Sequence, residues 1–420
     1  MTIRRWLADK SAGPERANYL KKNKKTRPDP SMDTPTPSAT AARRAVIESA
    51  QSVVVKVGTR VITTPDGKLD RNRIELLSQQ LCRIADSGRQ TVMVSSGAVG
   101  AGLGKLGLSQ RPSGLAQLQA IAAIGQTDLM QAYEASLSKM GRHASQVLLT
   151  TSDLRRRSGY LNVRNALIQI HAYNAIAIVN ENDSVAVSEL MTTFGDNDRL
   201  AAQVAGLLSD AMLIILSDVD GLYDGDPEDP DSRHIDLVPT IDDSILSMAQ
   251  VHRASHSKGG MASKLEAAQV ANSHGQATII APGHDDLVLD KIFAEEPIGT
   301  LFLPPEKSIR GRRRWIGSAA RVSGSLTLDQ GAVAAVCKQG RSLLAIGITS
   351  SSGSYQRGSV VSIHDPSGAE IARGLINYPS SEVDKIIGQP SEKISEILGH
   401  RPYDNVVHRD NLALVNTAES

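Results

Sequence analysis

Along residues 51–282 short apolar, mostly β-branched runs alternate with longer amphipathic stretches. "SVVVKV", "TVMVS", "ASQVLLT", "AIAIVN", "AMLIILS" and "ATIIAP" are the short runs. Most lack polar alternation, as expected of strands covered on both faces. The intervening stretches, such as "SGLAQLQAIAAIGQTDLMQAYEASL" and "DNDRLAAQVAGLLS", place apolar residues three and four apart, the spacing of a helix with one buried stripe. Strands alternating with helices in this way build a parallel sheet with crossover helices. An α/β domain is therefore expected over residues 49–303, an open mostly parallel sheet flanked by helices.

A chain of 420 residues is too long for one core. "LPPEKSIRGRRRW" breaks the alternation with prolines and charge, which places a linker over 304–311. Beyond it the helical period gives way to short strands with glycine-bearing turns. A small β-rich domain is expected over 312–400, in outline a partly open barrel, with a tail over 401–420. Residues 1–48 are basic, interrupted by acidic residues and prolines, and lack the apolar core of a secretory signal. They read as a disordered extension.

The formal net charge of +1 supplies no field toward nucleic acid or membrane, and 3% aromatic residues leave little surface for stacking bases. Arg312–Arg314 beside Trp315 then read as a solvated linker rather than an RNA-binding patch. No apolar run reaches bilayer length. Cys82 and Cys337 sit in different halves of the chain and no Cys-x-x-Cys occurs, which fits a reducing, cytoplasmic compartment.

The run "TVMVSSGAVGAGLGK", Thr91 to Lys105, ends a strand in a glycine-dense loop. Gly97 and Gly102 have the spacing of a phosphate-binding P-loop, but Leu103 stands where lysine is required. Gly102, Gly104 and Gly107 begin too far from the strand for a dinucleotide turn, and the acidic residue of that motif is missing from the next strand end. An anion-holding nest of backbone N–H groups at the strand's carboxyl end is expected instead.

Other strand ends carry polar clusters. Lys56 precedes Gly58 in "KVGTR"; Glu181 and Asp183 lie in "NENDSV"; "GDNDRL" opens a helix; "SDVDGLYDGDP" follows another strand. That last run lacks the glycine and glutamate of a calcium loop, and His252 and His256 lack a third metal ligand. No metal-ligating residue is assigned. In "KGGMASK", Lys264 sits in the first turn of a helix, where ammonium opposes the helix dipole and needs a compensating anion.

These motifs, in this order, resemble the amino acid kinase family, within it the branch that phosphorylates L-glutamate, and "LTLDQGA", "SLLAIGI", "RGSVVSI" and "VVHRDNLAL" resemble a C-terminal PUA domain. Aspartate, carbamate and uridylate kinases share the lysine and glycine devices; "NENDSV" and the PUA-like tail favour the glutamate branch. The resemblance implies transfer of phosphate from ATP, with Mg²⁺, to the side-chain carboxylate of L-glutamate, the first step of proline synthesis. It assigns ATP phosphates to Lys56, and ATP to Ser217, Asp218 and the loop Lys258, Gly259, Gly260, Met261, Ala262, Ser263 and Lys264. Ser96, Asp183 and Asn197 fall to glutamate. Asp198, with Asp196 beside it, matches acidic positions near the reacting phosphate, so Lys56, Lys264 and Asp198 are the expected catalytic set. A homo-oligomer with proline as feedback inhibitor is also implied. Two positions depart from the pattern: Arg60 replaces a small hydroxyl residue, and Lys258 replaces a small residue before Gly-Gly.

The chemistry suits that set. A side-chain carboxylate, with a pKa of about 4.3, is ionised at neutral pH and needs no general base. The obstacle is an anion approaching a polyanion, which calls for cations and N–H donors around the transferred group. Asp198 is expected to position a lysine, Asp183 to pair with the substrate ammonium, and N–H groups around Ser96 and Gly97 to take its α-carboxylate.

Overall fold

The computed structural model describes residues 37–64, 66–155, 157–185, 196–251, 260–305 and 322–414. The chain divides into two compact units, Met1–Thr151 with Ala166–Pro305, and Ser152–Asn165 with Glu306–Ser420.

The first unit is built on an eight-stranded sheet. Its strands are β1 (Ser52–Val57), β2 (Gln90–Ser95), β3 (His143–Leu149), β4 (Ala175–Glu181), β5 (Ala211–Ser217), β8 (Leu237–Val238), β9 (Ala277–Pro282) and β10 (Thr300–Phe302). Two short strands, β6 (Leu222–Tyr223) and β7 (His234–Ile235), form a separate ribbon. The sheet order is β3-β4-β2-β1-β5-β9-β10-β8, and only β10 against β9 is antiparallel among its pairings. Every position of β1, β5 and β9 is buried, so the unbroken apolar runs are strands packed on both faces. Because β1 lies between β2 and β5, Lys56 is level with Val94 and Ile215, and three carboxyl ends open at one place. That edge of a parallel sheet is where open α/β folds bind ligands.

The helices used below are α1 (Pro37–Ser49), α2 (Thr59–Ile62), α3 (Arg71–Asp86), α4 (Ala98–Leu106), α5 (Leu115–Leu137), α6 (Asp196–Leu207) and α7 (Met261–Ser273). Helix α1 corrects the expectation of a disordered extension through residue 48. Ala39, Arg43 and Ile47, spaced four apart, are all buried along one face. The Arg43 guanidinium donates to the carbonyls of Ile298 at 2.8 Å, Asp236 at 3.2 Å and Gly299. Charge and proline content masked this stripe in the sequence, because its central member is an arginine satisfied only by carbonyls distant along the chain.

The second unit holds a five-stranded sheet of β11 (Val322–Leu328), β12 (Ile348–Gly353), β13 (Val360–His364), β14 (Glu370–Ile376) and β15 (Val407–Leu414), in the order β12-β11-β13-β14-β15. Leu326, Val361, Ile363, Tyr378 and Ile386 are among its fully buried core residues. Strand β15 lies in the stretch read as a tail: it pairs antiparallel with β14, and Val407, Leu412 and Ala413 are buried. The sequence also concealed a helix at Gln330–Cys337, where Asp329 caps the Ala332 N–H at 2.7 Å. Arg312–Arg314 and Trp315 lie outside the described residues. Among the described residues no helix is long and apolar enough to cross a membrane.

Candidate active site

Lys56 is the penultimate residue of β1 and Asp198 sits in the first turn of α6. Their side chains meet, Nζ to Oδ1, at 2.6 Å, and both are buried. Asp198 Oδ2 accepts from Ser263 Oγ at 3.1 Å, which brings the start of α7 to the same carboxylate. Lys264, the next residue, is buried and interacts electrostatically with both Asp198 and Lys56. Two ammonium groups, one from β1 and one from α7, therefore act on one carboxylate.

The charges reflect this. Burial works to raise the Asp198 pKa, but Lys56 and Lys264 hold it below the ordinary carboxylate range, so it is ionised at neutral pH. Burial lowers the Lys264 pKa against the attraction of Asp198, and repulsion from Lys56 adds to the effect. The cation that looked misplaced at a helix N-terminus thus finds the opposing charge it required, in Asp198 and Asp218.

Asp218 follows β5. Its Oδ1 accepts from Ser217 Oγ at 3.0 Å and its Oδ2 pairs with Arg60 at 2.8 Å. Arg60 is mostly exposed, so this pair adds little stability. Its position gives the departure at residue 60 a place: the added guanidinium reaches the strand end that the resemblance assigns to ATP. Gly260 precedes α7, and its carbonyl accepts from Ser263 Oγ at 3.1 Å. Met261 is buried and Ala262 half-buried in the first turn. Lys258 and Gly259, with His252 and His256, lie outside the described residues, and so does the side chain of Asp196.

The glycine loop differs from its expected form. Gly97 has a left-handed φ of 105° and precedes α4, so residues 98–106 are a helix rather than a loop of exposed amides. The Ser96 N–H donates to Val57 O at 3.1 Å and is committed to the sheet. Gly102 serves packing: a Cβ there would lie 2.0 Å from Ile121 O, and one on Gly125 would lie 1.9 Å from Ala98 O. Within this run Gly102, with Gly125 opposite it, lets α4 and α5 touch backbone to backbone, which a local reading cannot separate from anion binding.

Beside it, Asn197 Nδ2 donates to Ser96 Oγ at 3.0 Å, so two of the three expected glutamate ligands are in direct contact. The third, Asp183, is half-buried beyond β4. Burial, with the negative charge of Glu181 adding, raises its pKa to about 6, while Arg111 pulls the other way. Gln126, Tyr133 and Asn180 escaped the sequence reading. Gln126 Oε1 accepts from Asn180 Nδ2 at 2.9 Å, and the Tyr133 hydroxyl lies 2.9 Å from Ser95 Oγ. For Gln126 and Tyr133 the signal was present as polar groups on the buried face of α5.

A family model for the amino acid kinase family matches residues 51–281, and a PUA domain model matches residues 324–398. A glutamate 5-kinase of Rhodopirellula baltica is 63% identical over 374 residues, spanning 89% of this chain and 96% of that one. One from Caldanaerobacter subterraneus subsp. tengcongensis is 43% identical over 368 residues, 87% of this chain and 98% of that one. One from a Synechococcus strain is 45% identical over 368 residues, with the same coverage. With both domains matched in order and these relatives aligned over nearly their whole length, the chain belongs to the amino acid kinase family, in its glutamate 5-kinase branch.

Proposed function

We propose that the protein transfers the γ-phosphoryl group of ATP to the side-chain carboxylate of L-glutamate, giving L-glutamyl 5-phosphate and ADP, the first step of L-proline biosynthesis. The observation that carries this reading is the convergence of Lys56 and Lys264 on Asp198. A carboxylate oxygen of glutamate forms a bond to the γ-phosphorus, the bond to the β,γ-bridging oxygen breaks, and its electron pair leaves with ADP. The two ammonium groups offset the negative charge that otherwise keeps nucleophile and nucleotide apart. Asp198, ionised and buried between them, orients the lysines rather than accepting a proton. Mg²⁺ enters as part of the nucleotide substrate and neutralises phosphate charge further.

Ser217, Asp218 and residues Gly260–Lys264 form the ATP side of this site. Ser96, Asn197 and Asp183 form the glutamate side, with Asp183 pairing with the substrate ammonium. Proline as a feedback inhibitor, a homo-oligomeric assembly and a cytoplasmic location belong to the same reading. The test is a hydroxamate assay with ATP, Mg²⁺, hydroxylamine and one candidate acceptor at a time, run with and without proline. Glutamate is expected to give hydroxamate, aspartate and carbamate none, and proline to reduce the yield. No glutamate-dependent product would end this reading.

A further inference from the structure

Helix α5 turns two buried polar side chains toward the sheet. Gln126 and Tyr133 are seven residues apart, two helical turns, and so share a face. Ser95 Oγ donates to Ser96 O at 3.1 Å, so in the 2.9 Å contact between the two hydroxyls Tyr133 is the donor. The other arm is longer. Gln126 Oε1 accepts from Asn180 Nδ2 at 2.9 Å; Asn180 Oδ1 accepts from Asn197 Nδ2 at 3.1 Å; and Asn197 Nδ2 also donates to Ser96 Oγ at 3.0 Å. Gln126 Nε2 points away, to Gln146 Oε1 at 3.4 Å.

The polarity of this chain has a fixed origin. The backbone N–H of Glu181 donates to Asn180 Oδ1 at 2.9 Å, and a backbone N–H cannot reverse its role. Asn180 must therefore present its NH₂ group to Gln126 and its oxygen to Asn197, which forces Asn197 to direct its NH₂ group at Ser96. Ser96 Oγ is held as an acceptor by that contact, and its own hydrogen is left to donate toward an anion. Gln126 supplies the acceptor that keeps a buried Asn180 NH₂ group satisfied in this orientation.

We propose that Gln126 is a positioning residue for the acceptor substrate: acting through Asn180 and Asn197, it sets the Ser96 hydroxyl as a donor toward a carboxylate of glutamate. This rests on the glutamate-phosphorylating reading given above. The test compares Gln126→Met, which keeps the length but removes the acceptor, with Gln126→Glu, which keeps an oxygen acceptor there. The methionine variant is expected to raise KM for glutamate by about tenfold or more, with kcat and KM for ATP within about twofold of wild type. The glutamate variant is expected to recover most of that loss. An unchanged KM for glutamate, a parallel loss in kcat and both KM values, or a Gln126→Glu protein no better than Gln126→Met overturns the proposal. Should Gln126→Met fail to fold, Gln126→Asn, which withdraws the same amide by one methylene, takes its place with the same expectations. Wild-type protein that makes no glutamyl hydroxamate defeats the functional reading instead, so the two failures are distinguishable.

Discussion

Lys56 Nζ lies 2.6 Å from Asp198 Oδ1, and both side chains are buried at the carboxyl end of the central strand. One carboxylate thus offsets this ammonium and interacts with a second, Lys264. Asp198→Asn keeps the shape and removes the charge, leaving Lys56 without its paired carboxylate and the two cations to repel each other with only Asp218 to offset Lys264. Turnover is expected to fall by about two decades or more. Breaking a buried pair on one side also costs about 3–5 kcal/mol, to be read from denaturant unfolding of the unliganded protein. A variant with near-normal rates would show that the lysines do not depend on this carboxylate.

Lys264→Ala separates catalysis from stability. Burial, with repulsion from Lys56, disfavours the Lys264 ammonium in the unliganded protein and outweighs the attraction of Asp198 and Asp218. Its removal is expected to change unfolding free energy by less than about 1 kcal/mol. If the charge acts at the transferred phosphoryl group as proposed, turnover is expected to fall by about two decades or more, with KM for glutamate nearly unchanged. Unimpaired turnover would remove Lys264 from the mechanism.

What could be read from the sequence divides along the same line as local and distant interactions. The parallel sheet, Lys56 at a strand end and Lys264 opposing its helix dipole were visible because each follows from a few adjacent residues. Arg43 was not, since only carbonyls at Asp236, Ile298 and Gly299 explain a buried arginine. Gly102 was misread for the same reason, being defined by the backbone of another helix. Ser96 and Asn197 came from resemblance alone, and their mutual hydrogen bond, with Gln126 behind it, needed the fold.

Asp183 predicts a pH dependence. Its pKa of about 6 is raised by burial and by Glu181, against Arg111. An unfolded aspartate titrates near 3.9, so the folded state holds this proton more readily. The stabilisation is fully present below about pH 4 and is lost as pH rises through about 6. Pairing with the substrate ammonium needs the ionised form, so KM for glutamate is expected to rise as pH falls below about 6, while KM for ATP stays level. Asp183→Asn should weaken glutamate by about tenfold or more at pH 7.5, flatten the KM profile between pH 5 and 8, and raise the unliganded melting temperature at pH 7.5. If the substitution moved only the ATP dependence, Asp183 would not be a glutamate ligand.

Gly102 tests the revised view of the glycine run. A methyl group there would meet Ile121 O at 2.0 Å and Ile121 Cγ2 at 2.8 Å, so α4 and α5 cannot keep their spacing around it. Because both helices are packed at this crossing, the strain has to be relieved by backbone movement, which costs about 1–3 kcal/mol or more. Gly102→Ala is therefore expected to lower the melting temperature by several degrees. If the glycine instead served to bring backbone amides to an anion, the alanine variant would melt normally and lose affinity for glutamate or ATP. Gly107 supplies the control: it has a left-handed φ of 66°, with open space where a methyl group would stand. Gly107→Ala should cost only the local φ strain, about 1–2 kcal/mol, and leave both KM values unchanged. Melting curves and both KM values, measured on the two variants side by side, separate helix packing from ligand binding at this loop.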